Sequence, residues 1–307
     1  MTNRLSIIII TYNRPADMLE LAKNIVGLND AELLHEIIIV NNRSTESYAE
    51  FEQYIKSTSH LRWHYLIAEE NLGVSRGRNF AISKSSGDIL IFLDDDALFQ
   101  NKDALAQMQL IFTDENRDAN ARKTGLASFK VYYASTGEMQ QTAFPHKDFS
   151  GRKDLSHFEA PYFVGCAHAI RQEVFDAIGA YPEDFFYGME EYDLSYKAIG
   201  AGYRIVYDNR VIIDHKESPG GRLSKPEKLQ GMWLNKTKVA WRYLPSRYFY
   251  STAIMWSFEY LRNTGFDLGG MFSNWKKISK VPSTTAKTRL SSSAIKYLKS
   301  IRARLWY

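Results

Sequence analysis

One cysteine, Cys166, in 307 residues excludes an internal disulfide. Long apolar runs are missing too. The longest uncharged aromatic stretch, Tyr248 to Phe258, falls well short of the ~20 residues that a bilayer crossing needs. The N-terminus, MTNRLSIIII, carries one arginine and an apolar run too short for a signal sequence with a cleavage site, so a cytoplasmic protein is expected. Two nucleotide signatures are also absent: no Gly-Lys-Ser/Thr follows a glycine-rich loop, and no Gly-x-Gly-x-x-Gly opens a helix. From Leu261 onward acids almost vanish, with Asp267 alone against ten basic residues. The net charge of +4 therefore divides into +9 for this segment and −5 for residues 1–260. Because nucleic-acid enzymes carry their positive charge around the cleft, no nucleic-acid partner is expected.

What remains is a composition for a folded enzyme. Apolar residues make up 45% and aromatics 14%, enough for a large core and incompatible with disorder or a fibrous repeat. Leu5–Ile10 and Glu36–Val40 are continuous apolar runs, the pattern of strands buried on both faces. Between them Pro15 opens a segment with Met18, Leu21, Ala22, Ile25 and Val26 on one helical face. The alternation continues with helices near 49–56 and 75–83 and strands at 64–67 and 88–93, which predicts a doubly wound, mostly parallel sheet. Ligands bind outside the carboxyl ends of such strands, so Thr11–Arg14, Asn41–Ser44 and Asp94–Asp96 are expected to face one crevice.

Further along, the pattern predicts a helix at 103–112, strands at 125–133 and 162–168, and helices at 171–178 and from Glu190 to the Gly200–Gly202 cluster. A strand pair at 204–207 and 211–213 follows, then a mobile loop over Ser218–Arg222. The chain is accordingly divided into a catalytic unit, 1–222, and a helical, basic and aromatic extension, 223–307.

Chemistry-bearing residues fall at the ends of these elements. Asp94, Asp95 and Asp96 close an apolar strand; three adjacent carboxylates repel, and Asp94 and Asp96 point the same way in extended chain, suiting one divalent cation. His215, after the last strand, would complete an oxygen-plus-imidazole set that suits Mn²⁺ somewhat better than Mg²⁺. In Asn71–Asn79 two glycines permit close ligand approach and Arg78 offers a planar fork of donors. In Phe185–Leu194 an aromatic run that can wall a sugar site precedes Glu190, Glu191 and Asp193. Helix-start acids complement the dipole, and one held off the metal can act as a base.

Six segments in this order, SIIIITYNR (6–14), IVNNRST (39–45), Asn71–Asn79, GDILIFLDDDA (87–97), GCAHAIRQEVF (165–175) and GMEEYDL (188–194), resemble the family 2 glycosyltransferases with their GT-A fold. The resemblance covers about residues 4–222. It implies a nucleotide-diphosphate sugar donor, a divalent metal and inversion at the anomeric carbon. By position it implies that Thr11, Tyr12, Arg14, Asn41, Arg78, Asp94 and Asp95 bind the nucleotide sugar and that Asp94, Asp96 and His215 hold the metal. Glu191 is implied as the base, with Gly165, Tyr187, Glu190 and Asp193 on the acceptor side. Two positions depart from the family pattern: Asn41 stands for an aspartate, and Glu190-Glu191 for a Glu-Asp pair. A nucleotidyltransferase would place a basic glycine-rich loop after the first strand, where TYNRP stands; a non-catalytic binder would more often lose the acids.

The acceptor is expected to be a glycan or a lipid-linked glycan. Ile295, Leu298, Ile301 and Leu305 recur at helical spacing among Lys296, Lys299, Arg302 and Arg304. That tail is expected either to dock on the catalytic unit or to lie on the anionic inner face of a membrane, which would suit a lipid-linked acceptor.

Overall fold

The computed structural model describes residues 3–113, 122–218, 220 and 224–305. Its centre is a sheet of nine strands among the described residues, ordered β3-β2-β1-β4-β8-β6-β9-β5, with β7 paired to β9. The first four strands, β1 (Leu5–Thr11), β2 (Leu34–Asn41), β3 (Trp63–Ile67) and β4 (Ile89–Asp94), are parallel to one another. Helices α1 (Pro15–Val26), α2 (Ala49–Ser57) and α3 (Gly73–Ile82) connect them. Ile7 and Ile9 face one layer of the core and Ile8 faces the other, so the unbroken apolar run is required by burial on both faces. The sheet changes character beyond β4. Strands β5 (Ala97–Phe99), β6 (Thr124–Tyr133), β7 (His157–Ala160), β8 (Ala167–Arg171) and β9 (Arg204–His215) mix both directions: β8 runs antiparallel between β4 and β6, while β9 is parallel to β6. Helices α4 (Ala104–Thr113), α5 (Gln172–Ile178) and α6 (Glu190–Gly200) flank this half. The architecture is the GT-A type that the sequence implied, and it is completed by C-terminal helices.

Three local expectations change. The strand expected at 162–168 begins only at Ala167; residues 161–166 are irregular, and the Gly165 carbonyl accepts from Arg78 (2.9 Å) and not from a neighbouring strand. The pair expected at 204–207 and 211–213 is one strand, β9, whose register against β6 jumps from Phe129–Asp208 to Lys130–Ile212. The extra residues bulge out around Asp208, which Arg210 and His157 bind at 2.7 and 3.1 Å. Of the loop expected at 218–222, Ser218 and Gly220 are described, and 219, 221 and 222 lie outside the described residues.

The extension folds into α7 (Lys225–Tyr243), α8 (Ser246–Thr264), α9 (Leu268–Ile278), α10 (Val281–Thr284) and α11 (Ser292–Ser300). Ser224 and Glu227 form a reciprocal capping box at the start of α7. Trp233 on α7 is fully buried and donates from Nε1 to the Ala253 carbonyl of α8 (3.1 Å), locking the two long helices together. The tail docks on the body. Leu298, Ile301 and Leu305 are buried in the same core as β1 and β4; His146 Nε2 donates to the Ile301 carbonyl (3.2 Å), and the Arg122 guanidinium lies 4.1 Å from the Tyr297 ring centre. The apolar stripe that a membrane could have taken is therefore covered by the protein itself; residues 306 and 307 lie outside the described residues. No helix among the described residues is long and apolar enough to cross a membrane.

Candidate active site

The carboxyl ends of β1 and β4 open on a cavity of about 480 Å³. Thr11, Tyr12, Arg14, Arg78, Asp94, Asp95, Asp96, Tyr187 and His215 line it, as the sequence led us to expect. Asn41 does not. Its Nδ2 donates to Tyr65 Oη (2.7 Å) and its Oδ1 accepts from the Ser44 amide (2.8 Å), which turns it into a neighbouring shallow cavity. Asn42 lines the main cavity instead, tied to α3 through the Gly73 carbonyl (3.0 Å) and the Leu72 amide (3.3 Å). The resemblance pointed to Asn41 and not to Asn42; neighbouring residues of one motif turn opposite ways once the strand ends.

Each aspartate of the β4 cluster has its own surroundings. Asp95 is buried, accepts from Thr11 Oγ1 (2.7 Å) and pairs with Arg14 (2.8 Å). Burial pushes its carboxyl up, only partly offset by Arg14 and Thr11. Asp96 is also buried, and burial raises it, but the His215 hydrogen bond and the charges of His215 and Arg14 outweigh that and leave it below the usual range. Its Oδ2 accepts from the Ser218 amide (2.7 Å), and its Oδ1 lies 3.4 Å from His215 Nε2. Asp94 is more open, with Arg78 at 3.4 Å. One ligand atom from each of Asp94, Asp96 and His215 lies within 4.8 Å of the other two. This donor set fits a divalent ion of intermediate hardness.

His215 is oriented by a residue the sequence reading missed. Gln140 Nε2 donates to Glu217 Oε1 (3.0 Å) and to Thr142 Oγ1 (3.1 Å), so its Oε1 is the end facing His215 Nδ1 at 2.9 Å. With Nδ1 donating to Gln140, the proton shared with Asp96 sits on Nε2; burial lowers the proton affinity of the ring, but the Asp96 hydrogen bond and the charges of Asp94 and Asp96 leave it raised, and loss of that proton would free the Nε2 lone pair for a cation. Gln140 lies in a loop 75 positions away in sequence, and no pattern marks it.

The second acidic cluster starts α6. Gly188 and Met189 both adopt positive φ (82° and 71°) just ahead of the helix, and neither Glu190 nor Glu191 is among the residues that line the cavity. Glu190 is buried and lies 3.5 Å from Arg78 Nη1. Asp193 faces away: it accepts from Arg242 Nη1 (2.8 Å) and Tyr243 Oη (3.0 Å), binding α6 to α7. Its carboxylate is thereby turned to α7 and not to the cavity. Glu191, half-buried, packs against Gly165, where any Cβ would collide with its Oε1. Burial first, and then the charge of Glu190, push the Glu191 carboxyl above its ordinary range, with Arg78 opposing. The next residue, Cys166, accepts the Asp94 amide at its carbonyl (2.8 Å), so a two-residue bridge joins the clusters.

Aromatic residues divide in the same way. Phe185 is fully buried in the core, while Phe186, 47% exposed, and Tyr187 line the cavity. Gly73, at φ +70°, holds α3 against that loop, and the Val74 amide donates to the Phe186 carbonyl (3.0 Å). Lys228 of α7 also lines the cavity, so the extension forms part of its wall.

Comparison with known proteins agrees with this geometry. Residues 6–179, more than half of the chain, match the model for glycosyl transferase family 2. A Haemophilus influenzae protein of uncharacterised function is 33% identical over 185 residues, 59% of this chain and 94% of its own length. Glycosyltransferase AglE of Haloferax volcanii is 24% identical over 72% of this chain and 70% of its own. Two other relatives are far longer proteins, of which the chain spans 15% and 31%. Among solved structures, a Pyrobaculum calidifontis mannosyltransferase in complex with GDP-mannose and Mn²⁺ superposes with a TM-score of 0.58 at 17% identity, over 98% of this chain and 79% of that one.

Proposed function

The chain belongs to glycosyl transferase family 2 and is a glycosyltransferase; from that premise we propose that it moves a sugar, with inversion, from a nucleotide-diphosphate donor to an acceptor hydroxyl of a glycan or lipid-linked glycan. The observation that carries this reading is the division of labour across the Gly165-Cys166 bridge. On one side stand Asp94, Asp96 and His215; on the other stands Glu191 with its carboxylate raised in proton affinity. The donor's diphosphate fits beside the β4 aspartates, and Thr11, Tyr12, Arg14 and Asn42 surround the nucleotide. Asp94, Asp96 and His215 would hold a divalent ion, which when bound would neutralise charge on the leaving diphosphate. Mn²⁺ is favoured over Mg²⁺ because imidazole joins the oxygen donors.

The chain's own groups perform the rest. Glu191 accepts the proton of the acceptor hydroxyl as its oxygen bonds to the anomeric carbon; the bond from that carbon to the diphosphate breaks on the opposite face, so one displacement inverts the centre. Arg78 holds Glu190 and the Gly165 carbonyl in place, which fixes the backbone against which Glu191 rests. Phe186 and Tyr187 offer apolar walls to a sugar ring. The test is incubation with a panel of nucleotide sugars and Mn²⁺, following free nucleotide and the anomeric configuration of the product by NMR. Release of nucleotide from one donor, with an inverted product, is expected; retention of configuration, or no turnover of any donor with any metal, would overturn the reading.

A further inference from the structure

Seven of the eleven exposed large apolar side chains among the described residues fall between Tyr250 and Phe272. On α8, Tyr250 (60% exposed), Ile254 (48%) and Phe258 (62%) recur every four residues, forming one outward stripe opposite the face that buries Phe249, Ala253 and Trp256. On α9, Leu268 (54%) and Phe272 (65%) continue with the same spacing to the exposed Lys276. Phe266, at the elbow between the helices, is 73% exposed. It adopts φ +66° directly after Gly265 at φ +67°. An aromatic residue in the left-handed region is uncommon, and here the ring is held out to solvent while its amide donates to the Leu261 carbonyl (2.9 Å).

From these features we infer that the α8–α9 elbow is a docking surface for an anionic lipid bilayer. The stripe is too interrupted to span and long enough to lie flat, with Phe258, Phe266, Leu268 and Phe272 entering the headgroup boundary. Charge complementarity selects the partner. Lys276, Lys277 and Lys280 are exposed, and none makes an ion pair with a described residue. Only Glu259 and Asp267 carry negative charge between Leu244 and Thr284, and both are engaged, with Arg262 and Tyr260. A second copy of the chain is the weaker occupant, because a two-fold contact brings this basic rim against itself. The surface is separate from α11, whose apolar side is already covered. The inference does not depend on the reaction proposed above.

The test uses the full chain with phosphatidylcholine vesicles, with and without phosphatidylglycerol. The chain should pellet with the anionic vesicles at low salt and release as salt rises. F266S and F272S should each lower partitioning roughly tenfold. K276E/K277E should abolish the preference for phosphatidylglycerol, while K296E/K299E on α11 should weaken binding less. All these residues are exposed, so unchanged thermal melting verifies the fold. Phenylalanine variants that bind as wild type would overturn the inference, as would absence of binding at low salt. A dimer in sedimentation velocity that F266S or F272S dissociates, without vesicle binding, would assign the face to a second copy instead.

Discussion

The two acidic clusters look alike in sequence and differ in what their neighbours do. At the end of β4, Asp95 is bound by Thr11 and Arg14, while Asp94 and Asp96 converge with His215. At the start of α6, Arg78 takes Glu190, and Arg242 and Tyr243 take Asp193, while Glu191 packs against Gly165. Arginine alone does not sort them, since Arg14 lies 2.8 Å from Asp95 and 3.2 Å from Asp96; what sets Asp94 and Asp96 apart is their convergence with His215, and what sets Glu191 apart is its place against Gly165. Arg78 reaches both clusters, at 3.4 Å to Asp94 and 3.5 Å to Glu190, so neither is electrostatically independent.

The sharpest way to break this comparison is Asp96→Ala, which should cut turnover by roughly 10³-fold and abolish Mn²⁺ binding followed by EPR in the absence of any donor. Normal Mn²⁺ affinity would remove the β4 cluster from the metal. Next comes Glu191→Gln, with an expected loss of roughly 10²-fold or more in kcat and unchanged donor affinity. The pH profile sharpens the same point. Because Glu191 must be ionised to act and its proton affinity is raised, the acidic limb of kcat/KM should lie above the ordinary glutamate range. Glu190→Gln removes a charge that raises it and should move that limb to lower pH; a shift upward would contradict the assignment.

A smaller effect is expected from Gln140→Leu, which leaves the ligands intact but frees the His215 ring. Mn²⁺ affinity should fall by roughly 10- to 100-fold, with Asp96→Ala as the reference for complete loss. The least effect on chemistry belongs to Asp193→Asn. Turnover should stay within about twofold, while urea unfolding shows a loss of about 1–3 kcal/mol from weakening the Arg242 pair. If Asp193→Asn instead lost turnover without stability, the structural role given to Asp193 would be wrong.

How much of this could be read beforehand follows from how far apart the interacting residues lie. Strands β1, β2 and β4 announce themselves because burial on both faces requires unbroken apolar runs, and their carboxyl ends then locate Thr11, Arg14 and the aspartates. Strand β7 has four residues at one side of β9 and no such demand, so it left no signal. Asp193 could not be told from Glu191 because its partners sit on α7, 49 and 50 positions away. The α11 stripe was ambiguous for a physical reason: the same spacing of Leu298, Ile301 and Leu305 serves a protein face or a lipid face, and only the packed chain decides. The α8–α9 surface was hidden by the converse effect, since Trp256 and Phe258 are equally apolar in sequence while only the second faces outward.

Strand β9 carries a consequence for biosynthesis. It pairs with β5, β6 and β7, and it ends in His215. A ribosome delivers Asp94 and Asp96 well before it delivers that imidazole, by on the order of 10 s at ordinary elongation rates. Throughout the interval β5 lacks its partner, β6 can pair only with β8, and the third residue of the proposed metal set does not yet exist. Nascent chains arrested before β9 clears the exit tunnel should therefore be cleaved readily by protease and fail to retain Mn²⁺, whereas arrest after the whole chain has emerged should give resistance and retention together. If Asp94, Asp96 and His215 hold an ion as proposed, its uptake would wait until β9 has joined the sheet, because the half-made chain lacks the imidazole.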